Sequence, residues 1–180
     1  YNKEPNQFRY LVFQWQQLIA RVRYFGEDPL ERVSAVEFFD GFGNLYRVDF
    51  YDFQGFLSLS QWYTPDNKIG TEVWMDINGK PVLETFNKYD GNHKYTKSGW
   101  RLNGADGAIY NFTNIDELTL HFLNLLNEEY WQDDKANIFI MDRTHLADWA
   151  LLNLDRPAYT VLHLHNSHAG DAQEPMHSVM

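Results

Sequence analysis

Between Phe39 and Asp90 the sequence repeats itself every twelve residues, and few folds accept so short a period. An aromatic residue or Met followed by Asp stands at Phe39-Asp40, Tyr51-Asp52 and Met75-Asp76. A Gly follows each Asp three residues later, at Gly43, Gly55 and Gly79. At the intervening position the same register reads Tyr63-Thr64-Pro65-Asp66-Asn67, with Asn where the others carry Gly, and Tyr89-Asp90-Gly91-Asn92 closes the series slightly late.

Each residue type has a job in a reversal. Asp caps a turn with its own side chain, and Gly or Asn tolerates the left-handed backbone that a tight turn requires. A dozen residues hold one strand of about seven plus a turn, which leaves no room for a crossover helix. The repeat therefore predicts an antiparallel meander with strands near Ala35–Phe39, Leu45–Tyr51, Phe56–Tyr63, Ile69–Met75 and Val82–Tyr89. Additions are expected at Trp100–Leu102 and Ala108–Phe112. An aromatic content of 17% suits half-buried pleated surfaces.

The formal net charge of −10 argues against a nucleic-acid groove, because phosphate neutralisation needs clustered Lys and Arg and here the basic residues are scattered. No stretch of about 18 apolar residues predicts a transmembrane segment. Neither a leader pattern nor any cysteine is present, so a cytoplasmic setting without disulfides is the expectation.

Ahead of the repeat, Phe8–Trp15 fits a buried strand and Gln16–Val22 a short amphipathic helix, in windows too short for periodicity to arbitrate. Gly26-Glu27-Asp28-Pro29 makes a turn. The grammar changes near Thr113. Asn114 followed by Glu117 is a capping box, and Leu118, Phe122, Leu125, Leu126 and Tyr130 recur at helical spacing, so Ile115–Trp131 reads as an amphipathic helix. Two short apolar runs, Asn137–Met141 and Tyr159–His165, flank a helical segment His145–Leu154 that Pro157 stops. Strand, helix, strand at this spacing is a βαβ unit, which builds parallel sheet. A parallel sheet of two strands cannot bury itself, so the sequence reads as an excerpt of a longer protein. The expected class is α+β, with a meander over 1–112 and part of an α/β domain over 113–180.

The densest chemistry is His163-Leu164-His165-Asn166-Ser167-His168, at the carboxyl end of a predicted parallel strand, where open α/β sheets place ligands. Three readings stay open. In the first, His163, His165 and His168 follow the His-x-His-x-Asp-His metal run of metallo-β-lactamase-like hydrolases, although Ser167 replaces the Asp and removes a ligand of the second metal. In the second, His163 is a hydrogen-bonded core residue and His168 a solvated loop residue.

The third comes from resemblance. Val161–His168, preceded by Asn137–Asp142 and by a sheet of Tyr-Asp-x-x-Gly turns, resembles the bacterial poly(glycerol-phosphate) α-glucosyltransferases of wall teichoic acid. It is more distantly similar to the glycosyltransferases that modify serine-rich repeat adhesins beside the accessory secretion system. Both are family 4 retaining enzymes with two Rossmann domains, the GT-B arrangement, and a β-meander is inserted into the first. The resemblance implies that residues 1–112 are the insert and 113–180 part of the Rossmann-like acceptor-side domain. It also implies that the donor is a UDP-sugar, held mostly by residues outside this chain, and that the acceptor is a polymer or a protein. His165 then matches a His that contacts the transferred sugar, with Asn166 and His168 as neighbours in substrate binding. No cofactor or metal is expected.

Asp142 and Arg143, at the end of the first parallel strand, face the same crevice and either meet an acceptor or serve as a cap and salt bridge. The repeat's Asp residues lack the alternating ligands of a calcium loop and read as turn caps. Trp62, Trp74 and Trp100 stack on sugars, on a partner, or fill the packed face of the sheet. Two further functions are carried beside the transferase: a non-enzymatic β-repeat interaction module, and a metallohydrolase built on the His loop. Open sheet edges make a homo-oligomer through the meander an expected assembly.

Overall fold

The computed structural model describes residues 2–3, 9–26, 28, 30–89, 94–132, 135–141 and 147–162. The chain divides into two compact units, Tyr1–Asn111 and Phe112–Met180. Most of it is antiparallel β-sheet, with few helices.

The first unit is a ten-stranded sheet in strict sequence order. Its strands are β1 (Asn2–Lys3), β2 (Arg9–Gln14), β3 (Gln17–Tyr24), β4 (Val33–Phe39), β5 (Leu45–Tyr51), β6 (Leu57–Tyr63), β7 (Ile69–Met75), β8 (Pro81–Tyr89), β9 (Tyr95–Asn103) and β10 (Ile109–Phe112). From β4 to β8 the strands begin at intervals of twelve, so the sequence period is the strand period.

Each repeat turn is closed the same way. Asp40 N–H donates to the Asn44 carbonyl at 2.9 Å and Gly43 N–H to the Asp40 carbonyl at 3.0 Å, and Asp52/Phe56, Thr64/Lys68 and Asp76/Lys80 reproduce the pattern. Gly43, Gly55, Gly79 and Asn67 all have positive φ, between 59° and 95°, which is why Gly or Asn stands there. The register shifts immediately before each turn, between Phe38/Phe39, Phe50/Tyr51, Trp62/Tyr63 and Trp74/Met75. The aromatic or Met that precedes the turn residue is thus a bulge position, and bulges bend and twist the strand that carries them.

Gly104–Ala108 is a further copy that the sequence hides. Gly104 N–H donates to the Ala108 carbonyl at 2.8 Å and Gly107, at φ 82°, donates back to Gly104. The cap comes from Asp106 instead, which accepts Ala108 N–H at 2.9 Å. Tyr89-Asp90-Gly91-Asn92 runs into residues outside the described ones.

The helix expected over Gln16–Val22 is a strand. Gln14 pairs with Gln17 around a two-residue tip in which Trp15 has φ 57°, and β3 pairs with β2 on one side and β4 on the other. A seven-residue helix is marginal by itself, whereas as a strand Ala20–Arg23 is paired on both sides, with β2 and with β4.

The second unit contains α1 (Ile115–Glu129), β11 (Ile138–Met141), α2 (Asp148–Leu152) and β12 (Tyr159–Leu162). Asn114 caps α1, its Oδ1 accepting Glu117 N–H at 2.9 Å. Glu117 reaches back one residue further than a capping box predicts, accepting Thr113 N–H at 3.1 Å and its hydroxyl at 3.2 Å. β11 and β12 pair in parallel, Ile138 beside Tyr159 through Met141 beside Leu162. Their shared face of Ile138, Ile140, Tyr159 and Val161 is exposed among the described residues, as are Phe122, Leu125 and Tyr130 of the predicted helical stripe.

Candidate functional site

Met141 and Leu162 lie side by side at the carboxyl ends of the parallel pair. The predicted site residues follow those two ends directly in sequence. Asp142, Arg143, His165, Asn166 and His168, together with His163, fall outside the described residues, so the structure supplies the frame and not their geometry.

The frame is fixed from its opposite edge. Asn127 of α1 is only 2% exposed. Its Nδ2 donates to the Arg156 carbonyl at 2.9 Å, while its backbone oxygen and Oδ1 accept Asn137 Nδ2 at 2.9 and 2.8 Å. Asn124 Oδ1 accepts Asp155 N–H at 3.0 Å, and Tyr159 N–H donates to the Asn137 carbonyl at 2.9 Å. These bonds tie the helix to the segments that enter β11 and β12. An amide buried without such partners costs about 1–3 kcal/mol, so Asn127 specifies this docking rather than merely tolerating it. Nothing in the helical periodicity singles it out. Among the described residues, no group of three or more His, Cys, Asp or Glu is placed to hold a metal ion.

In the meander, strand register creates a second candidate surface. Phe38, Arg47 and Trp62 are direct cross-strand neighbours on β4, β5 and β6 and so share a face. The Arg47 guanidinium lies 5.3 Å from the Phe38 ring centre and 5.1 Å from that of Trp62. Tyr46 sits 6.3 Å from both rings. Arg47 is oriented by Asp49, to which it donates from Nε at 2.7 Å and from Nη2 at 2.5 Å; Ser60 Oγ donates to the same carboxylate at 2.7 Å. The product is a fixed cation among partly open aromatic rings, which suits the stacking and hydrogen bonding that a sugar or peptide offers. The sequence offered Trp62 without Arg47, because only the register joins them. Trp62 and Trp74 are 43% and 42% exposed on opposite faces, whereas Trp100 is 9% exposed and belongs to the packed interior.

The turn carboxylates point inward to their own backbone. Asp40 Oδ1 accepts Phe42 and Asn44 N–H at 2.9 and 2.8 Å, and Asp76 Oδ1 accepts Asn78 and Lys80 N–H at 2.8 and 2.9 Å. The Asn44 and Lys80 amides are the largest influences holding Asp40 and Asp76 below the usual carboxylate range. Oxygens engaged in this way are turn caps, not a calcium shell.

The sequence model of a family described as the GtfB middle domain matches residues 7–103. No curated protein matches the chain. Among solved structures, a GtfA/B complex aligns at 18% identity over 95% of this chain and 31% of that one, with a TM-score of 0.70. S. aureus TarM, a mutant in complex with fondaparinux, alpha-GlcNAc-glycerol and UDP, aligns at 18% identity over 92% and 30%, with a TM-score of 0.64. The pneumococcal O-GlcNAc transferase GtfA in complex with UDP and GlcNAc aligns at 18% over 90% and 29%, with a TM-score of 0.63. The likeness to these structures is one of fold, and the chain spans about a third of their length. The family model matches more than half of the chain, and this chain belongs to the GtfB middle-domain family.

Proposed function

We propose that this chain is part of a retaining, UDP-sugar-dependent hexosyltransferase of the GT-B class. It moves glucose or N-acetylglucosamine to a cell-surface polymer such as poly(glycerol phosphate), on the cytoplasmic side of the membrane. In this reading 1–112 is an inserted meander that serves acceptor binding or homo-oligomer assembly, and 113–180 is part of the Rossmann-like acceptor-side domain. The observation that carries it is a GtfB-type meander followed by a parallel strand pair whose carboxyl ends lie together, the edge where such sheets receive ligands. His165 contacts the transferred sugar, Asn166 and His168 line the same cleft, and Asp142 and Arg143 meet the acceptor from the neighbouring strand end. Positioning the sugar and stabilising the charge on the departing diphosphate supply the rate.

A second reading takes a protein as acceptor, as in glycosylation of serine-rich adhesins. The family match and the similarity to an enzyme described as an O-GlcNAc transferase favour it. Both are tested in the full-length enzyme carrying His165→Ala, assayed with UDP-glucose and UDP-N-acetylglucosamine against a glycerol-phosphate polymer and a serine-rich peptide. The expected result is at least a tenfold loss of turnover with one donor and one acceptor. Unchanged turnover with both donors removes His165 from the site.

A further inference from the structure

Two neighbouring hairpin tips at one end of the meander raise aromatic rings into solvent. Trp15, in the tip between β2 and β3, is 95% exposed, and Phe42, in the tip between β4 and β5, is 93% exposed. Successive hairpins stand two strand spacings apart, so the tips lie about 10 Å from each other. A hydrogen bond joins them, Gln17 Nε2 donating to the Asp40 carbonyl at 3.0 Å. The next tip on this end, residues 64–67, holds no aromatic residue, so the two rings form a pair at one corner.

A single exposed ring is ordinary on a protein surface. These two are harder to account for. Trp15 has φ 57° and Gln16 does not share the positive φ, which is the two-residue turn that takes glycine at its first position. A bulky side chain there is strained, and glycine would remove the strain. Phe42 stands between Gly41 and Gly43, so neither neighbour in sequence has a side chain to cover it. Nearly all of each residue faces solvent, so neither ring adds packing to the fold.

The chemistry of the tips selects the kind of contact they make. Residues 14–17 and 40–44 contain one charged side chain, Asp40, and its Oδ1 is engaged by Phe42 and Asn44 N–H at 2.9 and 2.8 Å. A polyanion or a basic peptide finds no free counter-charge there. Trp and Phe bury about 150–250 Å² each, so the pair supplies at most about 500 Å², short of the roughly 800 Å² per partner of a stable protein interface. A lipid surface asks for less. Tryptophan settles at the headgroup level, and an interfacial contact reaches only about 5–10 Å deep. Gln14 and Gln16, on either side of Trp15, offer amide donors and acceptors to hydrated headgroups.

We propose that the Trp15 and Phe42 tips are a membrane-interface contact, docking this corner of the sheet shallowly on a zwitterionic lipid surface. Two rings without a basic patch give weak, reversible adhesion that salt does not screen. The contact goes beyond the transferase reading and does not depend on it.

The test is flotation of the 180-residue chain with vesicles of phosphatidylcholine alone and of an equimolar mixture with phosphatidylglycerol. The parent is expected to float with both, to a similar extent in low and high salt. Trp15→Gly and Phe42→Ser are each expected to reduce the bound fraction by about fivefold or more. Trp15→Gly relieves the turn and should keep or raise the urea midpoint, so its loss of binding is not loss of fold. Ile77→Ser changes an exposed apolar residue in the turn between β7 and β8, at the other end of the sheet, and is expected to bind as the parent does. No flotation of the parent overturns the contact. So does binding that survives the Trp15→Gly/Phe42→Ser double, falls equally in Ile77→Ser, or needs phosphatidylglycerol and vanishes in salt. Light scattering that shows lipid-free self-association of the parent, lost in Trp15→Gly, would assign the tips to a second copy and likewise overturn it. No sugar donor enters either measurement, so failure here is distinguishable from failure of the transferase reading.

Discussion

Arg47 and Asp49, two residues apart on one face of β5, form a two-pronged ion pair at 2.7 and 2.5 Å, and Asp49 is 2% exposed. A buried carboxylate needs such a partner, because removing one member of a buried pair strands the other, at a cost of about 3–5 kcal/mol when both are fully enclosed. Arg47 is partly open to solvent, so Arg47→Ala is expected to cost less, about 2 kcal/mol. The double substitution Arg47→Met/Asp49→Leu is expected to recover most of that loss. Urea unfolding of Arg47→Met, Asp49→Leu and the double forms the cycle; a double as unstable as the sum of those singles would show that the pair is not coupled.

Glycines in the turns serve two different needs, and substitution separates them. At Gly55 and Gly79 an added Cβ meets nothing within 4 Å, so alanine there costs only the left-handed backbone, about 1–2 kcal/mol. At Gly104 the Cβ would lie 2.4 Å from Asp106 Oδ1 and 2.8 Å from Tyr110 Cε2. Gly104→Ala must therefore displace the capping carboxylate or the ring. The expected outcome is a loss in Gly104→Ala that shrinks when Asp106→Ala is already present, and losses in Gly55→Ala and Gly79→Ala that do not change. Urea midpoints of the singles and doubles check both.

The meander was legible because its turns are written in local chemistry. Asp, Gly and the interval of twelve fix the reversals, and the structure places β4–β8 where the repeat does. Gly104–Gly107 escaped notice because its cap sits two positions later than in the other copies, on Asp106. β3 is ambiguous because Leu18, Ile19 and Val22 fit helical spacing while Leu18, Ala20 and Val22 alternate as in a strand, and so short a window does not choose between them until β2 and β4 are known to flank it. The same limit hid the candidate surface of the meander. Phe38, Arg47 and Trp62 lie on separate strands, and only cross-strand register brings them together. The exposed apolar face of Ile138, Ile140, Tyr159 and Val161 follows the pattern of a parallel strand pair meant for burial on both faces.

Acid should loosen the turns before it loosens the strands. Backbone amides hold Asp40 and Asp76 below the ordinary carboxylate range, the Thr64 hydroxyl and then Tyr89 do so for Asp66, and Thr113 N–H does so for Glu117. A carboxylate whose folded pKa is depressed contributes stability that is present above its unfolded pKa, about 3.9–4.3, and is lost as pH falls through the folded value. The urea midpoint is expected to stay level from pH 7 to about 5 and to fall below about 4. Asp40→Asn and Asp76→Asn keep the accepting oxygen but cannot titrate, so the double variant should show a shallower acid slope. A slope identical to that of the parent would place the acid sensitivity elsewhere.

The three tryptophans of the meander divide folding from binding. Trp100 is enclosed and pairs with Thr85 across β8 and β9, so Trp100→Ala empties a core site and is expected to cost about 3–5 kcal/mol. Trp62 keeps one side of its ring in solvent and borders the Arg47 guanidinium, so Trp62→Ala should cost much less stability. It should still weaken acceptor use, because an aromatic wall beside a fixed cation is what a sugar ring or peptide would meet there. Trp74 lies on the opposite face with similar exposure and controls for the loss of surface area. The measurement pairs urea midpoints with the apparent KM for acceptor in the full-length enzyme. A raised KM in Trp62→Ala but not in Trp74→Ala assigns the Phe38–Arg47–Trp62 face to the acceptor, and equal effects of the two substitutions would exclude it.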